Sequence, residues 1–412
     1  MNILFVVPYA PNKIRIRPYN LMRFLSARGN QVTLLTLQAD DLDSASIRQL
    51  ESEGYQVFAY PLPAWRSLVN SVRGMITSDP LQSYYCWQPQ MAQKIEELAF
   101  REKMGASFDV VHIEHLRGVR YGQYLRSRQN RRLKQGEKRL PIIWDSVDCI
   151  SYLFQQAAQQ SQKLISRLIT RLELPRTRKY EASMAQLFDR TLVTSRLDQE
   201  AYARLLPSGA DPVTILPNGV DLDYFHPFPD SEREPATLVI SGKMSYHANV
   251  AMVTHLVNQI MPHIWMKKPE VRLWIVGKDP PKSICDLASR EGITVTGYVA
   301  DIRPYLQKAT LALAPLTYGA GIQNKVLEAM ACGTPVISTP KAVSALSVKS
   351  GQDLFIEADP VAFANQVLCL IDDPARARQV GSCGRKYVER NHDWSAIAGQ
   401  LEAVYSQAIE HS

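Results

Sequence analysis

Residues Tyr318 to Ile337 read YGAGIQNKVLEAMACGTPVI, the most informative segment of the chain. It follows a short apolar run, Leu311–Ala314, that predicts a β-strand. It then enters a helical pattern that stops at Gly333, a residue type favoured just beyond a helix C-terminus. Glycines 319 and 321 precede the predicted helix and leave backbone N–H groups open, where the helix dipole favours an anion. The segment therefore predicts a strand, a glycine turn and a helix with an anion site at its start.

Two charged side chains bear on this expectation. Lys325, in the first turn of the predicted helix, adds a positive charge that could form a charge-assisted hydrogen bond with a nearby anion. Glu328, one turn further, would be costly beside an anion unless its carboxylate accepts hydrogen bonds from sugar hydroxyls. The alternative is a plain strand–loop–helix connection whose glycines only turn the chain.

The whole chain alternates short apolar or β-branched runs with longer amphipathic segments. Continuous apolar strands separated by helices favour parallel sheets that are covered on both faces. The sequence therefore predicts an α/β protein with two domains of similar size. The candidate strands are Ile3–Val7, Gln31–Leu37, Tyr55–Tyr60, Asp109–His112, Pro141–Trp144, Arg190–Thr194, Val213–Leu216, Thr237–Ser241, Val271–Val276, Ile293–Thr296, Leu311–Ala314, Pro335–Ser338 and Leu354–Ile356.

A seam between the domains is predicted at the turn Pro217-Asn218-Gly219, which a polar, proline-flanked segment follows. The last helical pattern can pack on either domain. The expected parts are an N-terminal domain at 1–216, a linker at 217–235, a C-terminal domain at 236–388 and a final helix at 389–412.

The composition is that of a globular protein with an excess of basic residues. There are 47 lysines and arginines against 40 acidic residues, a net charge of +7. This balance favours an anionic partner, which can be a nucleotide, a phospholipid surface or a nucleic acid. We expect no nucleic acid, because the chain carries neither an aromatic platform nor a recognition motif.

Compartment signals are few. The six cysteines are scattered without C-x-x-C spacing, which predicts neither disulfides nor a zinc site. The start, MNILFVVP, has no basic region before its apolar run and breaks at a proline, so we expect a first strand and no secretory leader. No run of about 18 apolar residues suggests a membrane span. The sequence thus predicts a cytoplasmic location.

Two basic segments favour contact with an anionic membrane surface. Residues 126–139 carry seven lysines and arginines against one acid. Lys163, Arg167 and Arg171 recur every four residues beside leucines at the same interval, which is typical of a helix lying in a membrane interface. The alternative is an ordinary surface helix that those leucines pack onto its domain.

The segment 318–337 closely resembles the C-terminal signature of family-4 glycosyltransferases, roughly E-G-x-G-x-x-x-x-E-A-M-A-x-G-x-P-V. Glu328-Ala-Met-Ala and Gly333-Thr-Pro-Val match it position by position. The resemblance implies the GT-B fold, in which two Rossmann-like domains face a central cleft with their parallel sheets. The string GIQNKVLE is similar to a bacterial subgroup associated with exopolysaccharide and protein-sorting gene clusters.

The resemblance also implies a function. It is that of a retaining glycosyltransferase that moves a sugar from a nucleotide-diphosphate sugar to a glycan or lipid-linked acceptor, in cell-envelope or exopolysaccharide synthesis. It implies front-face attack assisted by the leaving phosphate, with no covalent enzyme intermediate, no cofactor and no metal. Two alternatives stay open: a nucleotide-sugar epimerase of the same architecture, and a non-catalytic nucleotide-sugar-binding protein.

The resemblance assigns the nucleotide sugar to the second domain. The implied binding residues are Gly242, Lys243, Gly277, Lys278, Tyr298, Val299, Gly321, Ile322, Asn324, Lys325 and Glu328. Glu328 is expected to bind the ribose hydroxyls, and the loop at Tyr298 to contact the base through its main chain. The sequence departs from the family pattern at Ala320, where relatives have a glutamate, and after Lys243, where they have a lysine.

In the first domain, the resemblance gives Asp148 the place of a family histidine, so Asp148 is the expected catalytic residue. Glu114, at the end of a predicted strand, is a second candidate as a general base. His115 is expected on the acceptor side. Arg15 and Arg17 either hold an acceptor phosphate or are simply solvated.

Metal-type patterns are weak. Asp41-Leu-Asp43 and Asp221-Leu-Asp223 match D-x-D formally, and we interpret both as turn aspartates. His112 and His115 lack a third ligand at zinc spacing.

Overall fold

The computed structural model describes residues 1–13, 15–100, 108–133, 139–160, 164–211, 213–228, 233–318 and 321–412, with the backbone alone for 157–160 and 164–170. The chain divides into two compact units. The first comprises Met1–Pro217 with Ser395–Ser412, and the second comprises Asn218–Trp394. Each unit is built around its own parallel sheet.

The first unit has a seven-stranded sheet in the order β3-β2-β1-β4-β5-β6-β7. Its strands are β1 (Asn2–Val7), β2 (Gln31–Gln38), β3 (Gln56–Pro61), β4 (Val110–Glu114), β5 (Ile142–Val147), β6 (Arg190–Val193) and β7 (Thr214–Ile215). Its helices are α1 (Ile16–Ala27), α2 (Asp41–Ser52), α3 (Ala64–Met75), α4 (Leu81–Tyr85), α5 (Pro89–Ala99), α6 (His115–Leu133), α7 (Ile150–Gln160), α8 (Leu164–Leu187) and α9 (Arg196–Ala203).

The strand order of the first sheet creates a crevice at its carboxyl edge. The chain runs outward from β1 to β3, then crosses to β4 on the other side of β1. The loops after β1 and β4 therefore diverge, and ligands of open α/β sheets bind where such loops separate. Fully buried side chains such as Val6, Ile113 and Trp144 form the core beneath.

The second unit has a six-stranded sheet in the order β10-β9-β8-β11-β12-β13, with its reversal between β8 and β11. Its strands are β8 (Glu234–Ser241), β9 (Arg272–Val276), β10 (Ile293–Gly297), β11 (Ala309–Ala314), β12 (Val336–Ser338) and β13 (Phe355–Ile356). Its helices are α10 (His247–His255), which continues through a π-helical turn Leu256–Ile260 into α11 (Met261–Trp265), then α12 (Lys282–Cys285), α13 (Arg303–Lys308), α14 (Asn324–Ala331), α15 (Pro360–Asp372) and α16 (Pro374–Asn391).

Each strand predicted from the sequence is present within a few residues of its expected bounds. Both sheets are entirely parallel in the described residues, as buried apolar runs predict. The expectation of two Rossmann-like domains is therefore confirmed.

The segment expected as a linker at 217–235 belongs to the second unit from Asn218 onward. Val220 is buried and its N–H donates to the carbonyl oxygen of His392 at 2.8 Å. The guanidinium of Arg233 donates to the carbonyl oxygens of Gln307 and Ala309. These bonds hold the segment against its own unit, because buried backbone groups must find partners.

The final helix, α17 (Trp394–Glu410), lies in the first unit from Ser395 onward. The Tyr405 hydroxyl lies 2.8 Å from Nδ1 of His112, in the middle of β4. Near the start of the chain, Arg28 on the C-terminal side of α1 forms a salt bridge with Glu402 at 2.6 Å.

Three arginines of the first basic segment, 126–139, form ion pairs inside the first unit. Arg126 is buried and forms a salt bridge with Asp189, which Arg139 also contacts. Arg128 lies 3.3 Å from Glu96. Residues 134–138 lie outside the described residues, as do the side chains of Lys163 and Arg167. Arg126, Arg128 and Arg139 are therefore engaged within the first unit, whereas Arg131 is exposed.

Among the described residues, no helix is both long and apolar enough to cross a membrane. All six cysteines are free thiols, which agrees with the expectation of no disulfides.

Candidate functional site

The carboxyl ends of β8 and β9 approach each other closely at two glycines. A Cβ atom added to Gly277 would lie 1.8 Å from the carbonyl oxygen of Gly242, so only glycine fits there. Both residues also have positive φ angles, 150° for Gly277 and 148° for Gly242. The turns that follow are joined by a bond from the Met244 N–H to the carbonyl oxygen of Lys278. The two turns are therefore packed backbone to backbone, and the side chains of Asn249 and Lys325 approach Gly242 closely.

Lys325 brings an ammonium group to the β8–β11 crevice from the first turn of α14. Its Nζ donates to Oδ1 of Asn249 on α10 at 2.6 Å, and Nδ2 of Asn249 donates to the carbonyl oxygen of Lys243 at 2.8 Å. Burial lowers the pKa of Lys325 to about 8, although the nearby Glu328 opposes this shift. No carboxylate of the described residues lies within salt-bridge distance of Lys325. The charge is therefore held in place without being neutralised.

The start of α14 carries further polar groups without partners. Gly321 has a φ of 74°, and no side chain caps the helix, so its first N–H groups stay open to an anion. Oδ1 of Asn324 is buried without a hydrogen-bond partner in the part of the chain that the structure describes. A buried polar atom of this kind is costly unless a ligand or water satisfies it.

Glu328 lies one turn beyond Lys325 and is half-buried. Burial raises the pKa of its carboxyl to about 7, and Lys325 partly offsets the shift. The described residues offer this carboxyl no hydrogen bond. Glu328 therefore neither caps nor salt-bridges its own helix within that part of the chain, and its acceptor oxygens are open to a ligand.

The remaining predicted binding residues lie on the same edge of the second sheet. Tyr298 and Val299 follow β10, and the Tyr298 side chain is 74% exposed. Ile322 is buried and packs into the core of the unit. Lys243 is exposed and Lys278 is half-buried. The structure thus gathers all of the sequence-predicted nucleotide-sugar residues at the carboxyl ends of β8, β9, β10 and β11.

In the first unit, Glu114 ends β4 and is fully buried. Its Oε1 accepts a hydrogen bond of 2.8 Å from the hydroxyl of Tyr9, which follows β1, so this pair spans the crevice of the first sheet. Burial, together with the nearby Asp145 carboxyl, raises the pKa of Glu114 to about 8. Burial therefore favours the protonated form of Glu114 near neutral pH, and its role as a general base stays a prediction.

Asp148 follows β5 and is half-buried at the same edge. Burial raises the pKa of its carboxyl to about 7, with Asp198 adding to the shift, and the Thr194 hydroxyl donates to it at 3.4 Å. The preceding Val147 has a φ of 69°, a strained conformation for a β-branched residue. A carboxyl with a pKa near neutrality, held at a strained turn, suits proton transfer at physiological pH.

The two predicted acceptor-side arginines are engaged within the first unit. Arg17 is buried, pairs with Asp145 at 2.8 Å, and donates to the carbonyl oxygens of Leu216 and Pro217. Arg15 pairs with Asp43 at 2.5 Å. The Arg17 guanidinium is thus buried among internal partners, whereas Arg15 bonds Asp43 and the carbonyl oxygen of Ala10 through Nη1 and its side chain stays 34% exposed. An acceptor-side role for these arginines stays a prediction.

His115 begins α6 with a φ of 64°. Its Nδ1 accepts a hydrogen bond from the N–H of Arg117 at 3.3 Å. Burial lowers the pKa of His115 to about 4, so the ring is neutral near pH 7. It can therefore hydrogen-bond an acceptor but cannot supply a positive charge.

Sequence reasoning missed Asn249, the anchor of Lys325. Asn249 lies in the short stretch after Lys243, where the family pattern has a lysine, and that departure was the available signal. Sequence reasoning also missed His247, whose ring stacks on Tyr318 with centroids 5.5 Å apart, beside the same crevice.

The formal D-x-D patterns differ from each other in structure. Oδ1 of Asp221 accepts from the N–H groups of Asp223 and Tyr224, which confirms a turn aspartate. Asp41 and Asp43 instead begin helix α2, which corrects their interpretation as turn residues. Among the described residues, no group of three or more His, Cys, Asp or Glu side chains is placed to hold a metal ion.

Residues 17–224, just over half of the 412-residue chain, match the family model described as Glycosyltransferase Family 4. The chain belongs to glycosyltransferase family 4. Residues 235–373 match a second model, described as Glycosyl transferases group 1. The resemblance noted in the sequence is confirmed at the level of the family, and the narrower bacterial subgroup stays a prediction.

Curated relatives include D-inositol 3-phosphate glycosyltransferase 2 of Catenulispora acidiphila, 27% identical over 237 residues, which are 52% of this chain and 55% of the relative. Another is phosphatidyl-myo-inositol mannosyltransferase of Mycobacterium tuberculosis, 26% identical over 210 residues, or 48% of this chain and 54% of the relative. The chain thus spans about half the length of the curated relatives it matches.

Solved structures extend the likeness to the whole chain. Sucrose-phosphate synthase from Thermosynechococcus elongatus superposes with a TM-score of 0.69 at 21% identity, over 100% of both chains. Anabaena HepE, solved in complex with UDP and glucose, gives a TM-score of 0.69 at 16% identity, over 99% of this chain and 100% of that one. Identities this low show the fold alone, and the expected GT-B fold is confirmed.

Proposed function

We propose that this protein is a glycosyltransferase that moves a sugar from a nucleotide-diphosphate sugar to a glycan or lipid-linked acceptor of the cell envelope. Membership of family 4 supports the reaction class. The relatives, a D-inositol 3-phosphate glycosyltransferase and a phosphatidyl-myo-inositol mannosyltransferase, support a polyol or lipid-linked acceptor.

The observation that carries the proposal is the placement of Lys325. Its ammonium lies at the β8–β11 crevice, fixed by Asn249 at 2.6 Å and without a carboxylate partner in the described residues. Departure of a nucleoside diphosphate develops negative charge on the leaving phosphate. A preorganised cation and the open N–H groups of the α14 N-terminus would stabilise that charge without needing to reorganise. We therefore assign the diphosphate to this crevice.

Other residues at the carboxyl edge of the second sheet then bind the ribose and the base of the donor. The Glu328 carboxylate accepts hydrogen bonds from the ribose hydroxyls, and the segment at Tyr298 and Val299 contacts the base. Because HepE was solved in complex with UDP and glucose, a donor with a uracil base and a hexose is the first to test.

The chemical step is assigned to retention by front-face attack. The acceptor hydroxyl oxygen bonds to the anomeric carbon on the face that the leaving phosphate vacates, and its proton passes to that phosphate. Asp148 is assigned to the first-domain side of the reaction, where its near-neutral pKa allows it to orient or relay a proton.

No covalent enzyme intermediate and no cofactor are needed in this scheme. We expect no metal requirement, because Lys325 and the helix N–H groups supply the positive charge. A cytoplasmic, peripheral location would suit a lipid-linked acceptor.

The proposal is tested with the full chain and a panel of UDP, GDP and ADP sugars. Nucleotide release is measured with and without membrane lipid extract, in the presence of EDTA. Release that depends on the extract supports a transferase. Release without it supports an epimerase or hydrolase, and binding without any turnover supports a nucleotide-sugar-binding protein.

A matched pair of variants locates the donor. Lys325→Met should weaken nucleoside-diphosphate binding by about ten- to a hundredfold, the effect of one charge-assisted hydrogen bond. Lys308→Met removes an exposed lysine from the opposite edge of the same sheet and should change nothing. Equal affinity of both variants in calorimetry would show that the diphosphate binds elsewhere.

A further inference from the structure

Helix α3 (Ala64–Met75) presents its apolar side chains to solvent and its small polar ones to the protein. Ser67, Asn70 and Gly74 are buried, and Nδ2 of Asn70 donates to the carbonyl oxygen of Trp87 at 2.8 Å. The apolar face of α3, defined here as the large apolar side chains left exposed by this packing, consists of Trp65, Leu68, Val69, Val72, Met75 and the adjoining Ile76.

This arrangement inverts the usual amphipathic helix of a globular protein, whose apolar stripe faces the core. Leu68 is 67% exposed and Trp65 is 61% exposed. Contiguous exposed apolar side chains of this kind mark interaction sites, whereas single exposed ones are ordinary. Exposed apolar side chains grouped on one helix therefore mark this face as a candidate interaction site.

The charges around the face are basic. Helix α3 carries Arg66 and Arg73 and no acidic residue. It is joined to α8 through Arg176, whose guanidinium donates to the carbonyl oxygen of Met75 at 3.1 Å. One turn before Arg176, Leu172 adds another exposed apolar side chain.

On the described side chains of α8, the exposed charges are Arg171, Arg178 and Lys179. The two acids of that stretch, Glu173 and Glu181, are buried and hydrogen-bonded, to Arg176 and to the N–H groups at the start of α7 respectively. The acids therefore leave the positive charge of the rim in place.

We propose that the apolar face of α3 lies in the interface of an anionic lipid bilayer, with Arg73 on α3 and the exposed Arg171 on α8 against the lipid head groups. An apolar face with a tryptophan, flanked by arginines, fits the boundary between head groups and acyl chains. Anionic head groups add an attraction of about fivefold in affinity for each basic side chain near the surface. A second copy of this chain fits less well, because it would bring a like-charged rim against this one. This surface adds the apolar face of α3 to Arg171, the described end of the second basic segment of the sequence, and it goes beyond the proposed donor site.

The test is flotation of the full chain with vesicles of phosphatidylcholine alone or mixed with phosphatidylglycerol. The wild type should bind the mixed vesicles, and binding should weaken at about 1 M salt, where screening shortens to about 3 Å. The double variant Leu68→Ser with Val72→Ser should bind at least about tenfold more weakly, since both side chains are exposed and removing them leaves the core intact. Arg73→Gln should lose about fivefold.

Met266→Ser is the matched control, because Met266 is an exposed methionine of the second unit, 74% accessible. It should bind vesicles as the wild type does. The nucleoside-diphosphate affinity of all variants, measured without vesicles, should be unchanged. A failure of the membrane proposal can therefore be told apart from a failure of the proposed donor site.

Three outcomes would overturn the inference. They are equal binding of the double variant and the wild type, equal binding to neutral and anionic vesicles, and a dimer in light scattering that the double variant abolishes. The last result would assign the face to a second copy. Trp65 gives an independent readout, since its fluorescence should shift to the blue with anionic vesicles and the shift should be absent in Trp65→Phe.

Discussion

Lys325 and Asn249 lie 76 positions apart in the sequence and meet through a hydrogen bond of 2.6 Å from Nζ to Oδ1. Asn249 is a neutral anchor, so it positions the ammonium without cancelling its charge. A carboxylate at the same place would form an ion pair and remove the attraction for an anionic ligand. The identity of residue 249 therefore determines whether the crevice can attract a diphosphate.

The variant Asn249→Asp tests this relationship at nearly constant side-chain volume, and it also removes the hydrogen bond that Nδ2 donates to the carbonyl oxygen of Lys243. The new carboxylate should pair with Lys325 and compete with the ligand, weakening nucleoside-diphosphate binding by about tenfold or more. Calorimetry measures the affinity. Asn365→Asp is the control, because Asn365 accepts from Lys267 at 3.0 Å in an equivalent exposed pair of the same unit. An unchanged affinity of Asn249→Asp would separate Lys325 from the diphosphate.

Glu328→Ala should weaken binding of a nucleoside diphosphate by about ten- to a hundredfold, because a hydrogen bond to a charged group is worth roughly 1.5–3 kcal/mol. Alanine is the better helix former, so α14 should persist. Titration calorimetry and thermal melting are made on the same variant. A lowered melting temperature with unchanged affinity would reassign Glu328 to a structural role.

Glu328→Gln separates charge from shape. Burial raises the pKa of Glu328 from 4.5 to about 7. Between these values the folded state holds a proton that the unfolded chain has released, so the free energy of unfolding falls as pH rises through this window. The glutamine variant should match the wild type near pH 4 and be more stable above about pH 7, by on the order of 1–3 kcal/mol. Denaturant unfolding across this range measures the difference, and parallel curves would contradict the burial of the carboxyl.

The strands were predictable from the sequence, and the side-chain partners were not. Parallel strands buried on both faces are continuous apolar runs, so β1, β4 and β11 can each be predicted from their own short stretch of sequence. The pairing of Arg17 with Asp145, 128 positions away, depends on how the strands are ordered in the sheet. Local patterns carry no such information, which is why Arg17 was expected on the acceptor side.

Helix α3 shows a second feature that the sequence alone does not predict, namely which face of a helix is buried. Its apolar spacing reveals that two faces differ, but only the packing of Asn70 and Gly74 shows which one points inward. The family signature located Lys325 and Glu328 because its spacing fixes one strand–turn–helix. Gly319 lies outside the described residues, and so does Ala320, where the sequence departs from that signature, so the effect of Ala320 stays a prediction.

Glu114→Gln tests whether Glu114 or Asp148 is the catalytic carboxyl of the first unit. With a pKa of about 8, Glu114 is mostly protonated at neutral pH, and glutamine is a close neutral substitute. Turnover of the variant should stay within about threefold of wild type near pH 7, a small effect beside the loss of a general base. Because the folded pKa is raised from 4.5, wild-type stability falls as pH rises toward and through about 8. The variant should therefore melt higher than wild type at about pH 9, and a large loss of turnover would restore Glu114 as the catalytic base.

Asp148→Asn should lower turnover by about a hundredfold or more while leaving nucleoside-diphosphate affinity unchanged, because the nucleotide is assigned to the second unit. Burial raises the pKa of Asp148 from 3.8 to about 7, so wild-type activity should fall as pH drops below about 7 and that limb should be absent in the variant. Stability has the opposite pH dependence to activity. The free energy of unfolding of the wild type falls as pH rises from about 4 to about 7, because only the folded state keeps the proton on Asp148 in this range, and the variant lacks this dependence. Asp211→Asn, at an exposed position of the same unit, should leave turnover, its pH profile and stability as in wild type. If Asp148→Asn turns over like the wild type, the catalytic role moves to another group at this edge of the sheet, with Asp145 the next to test.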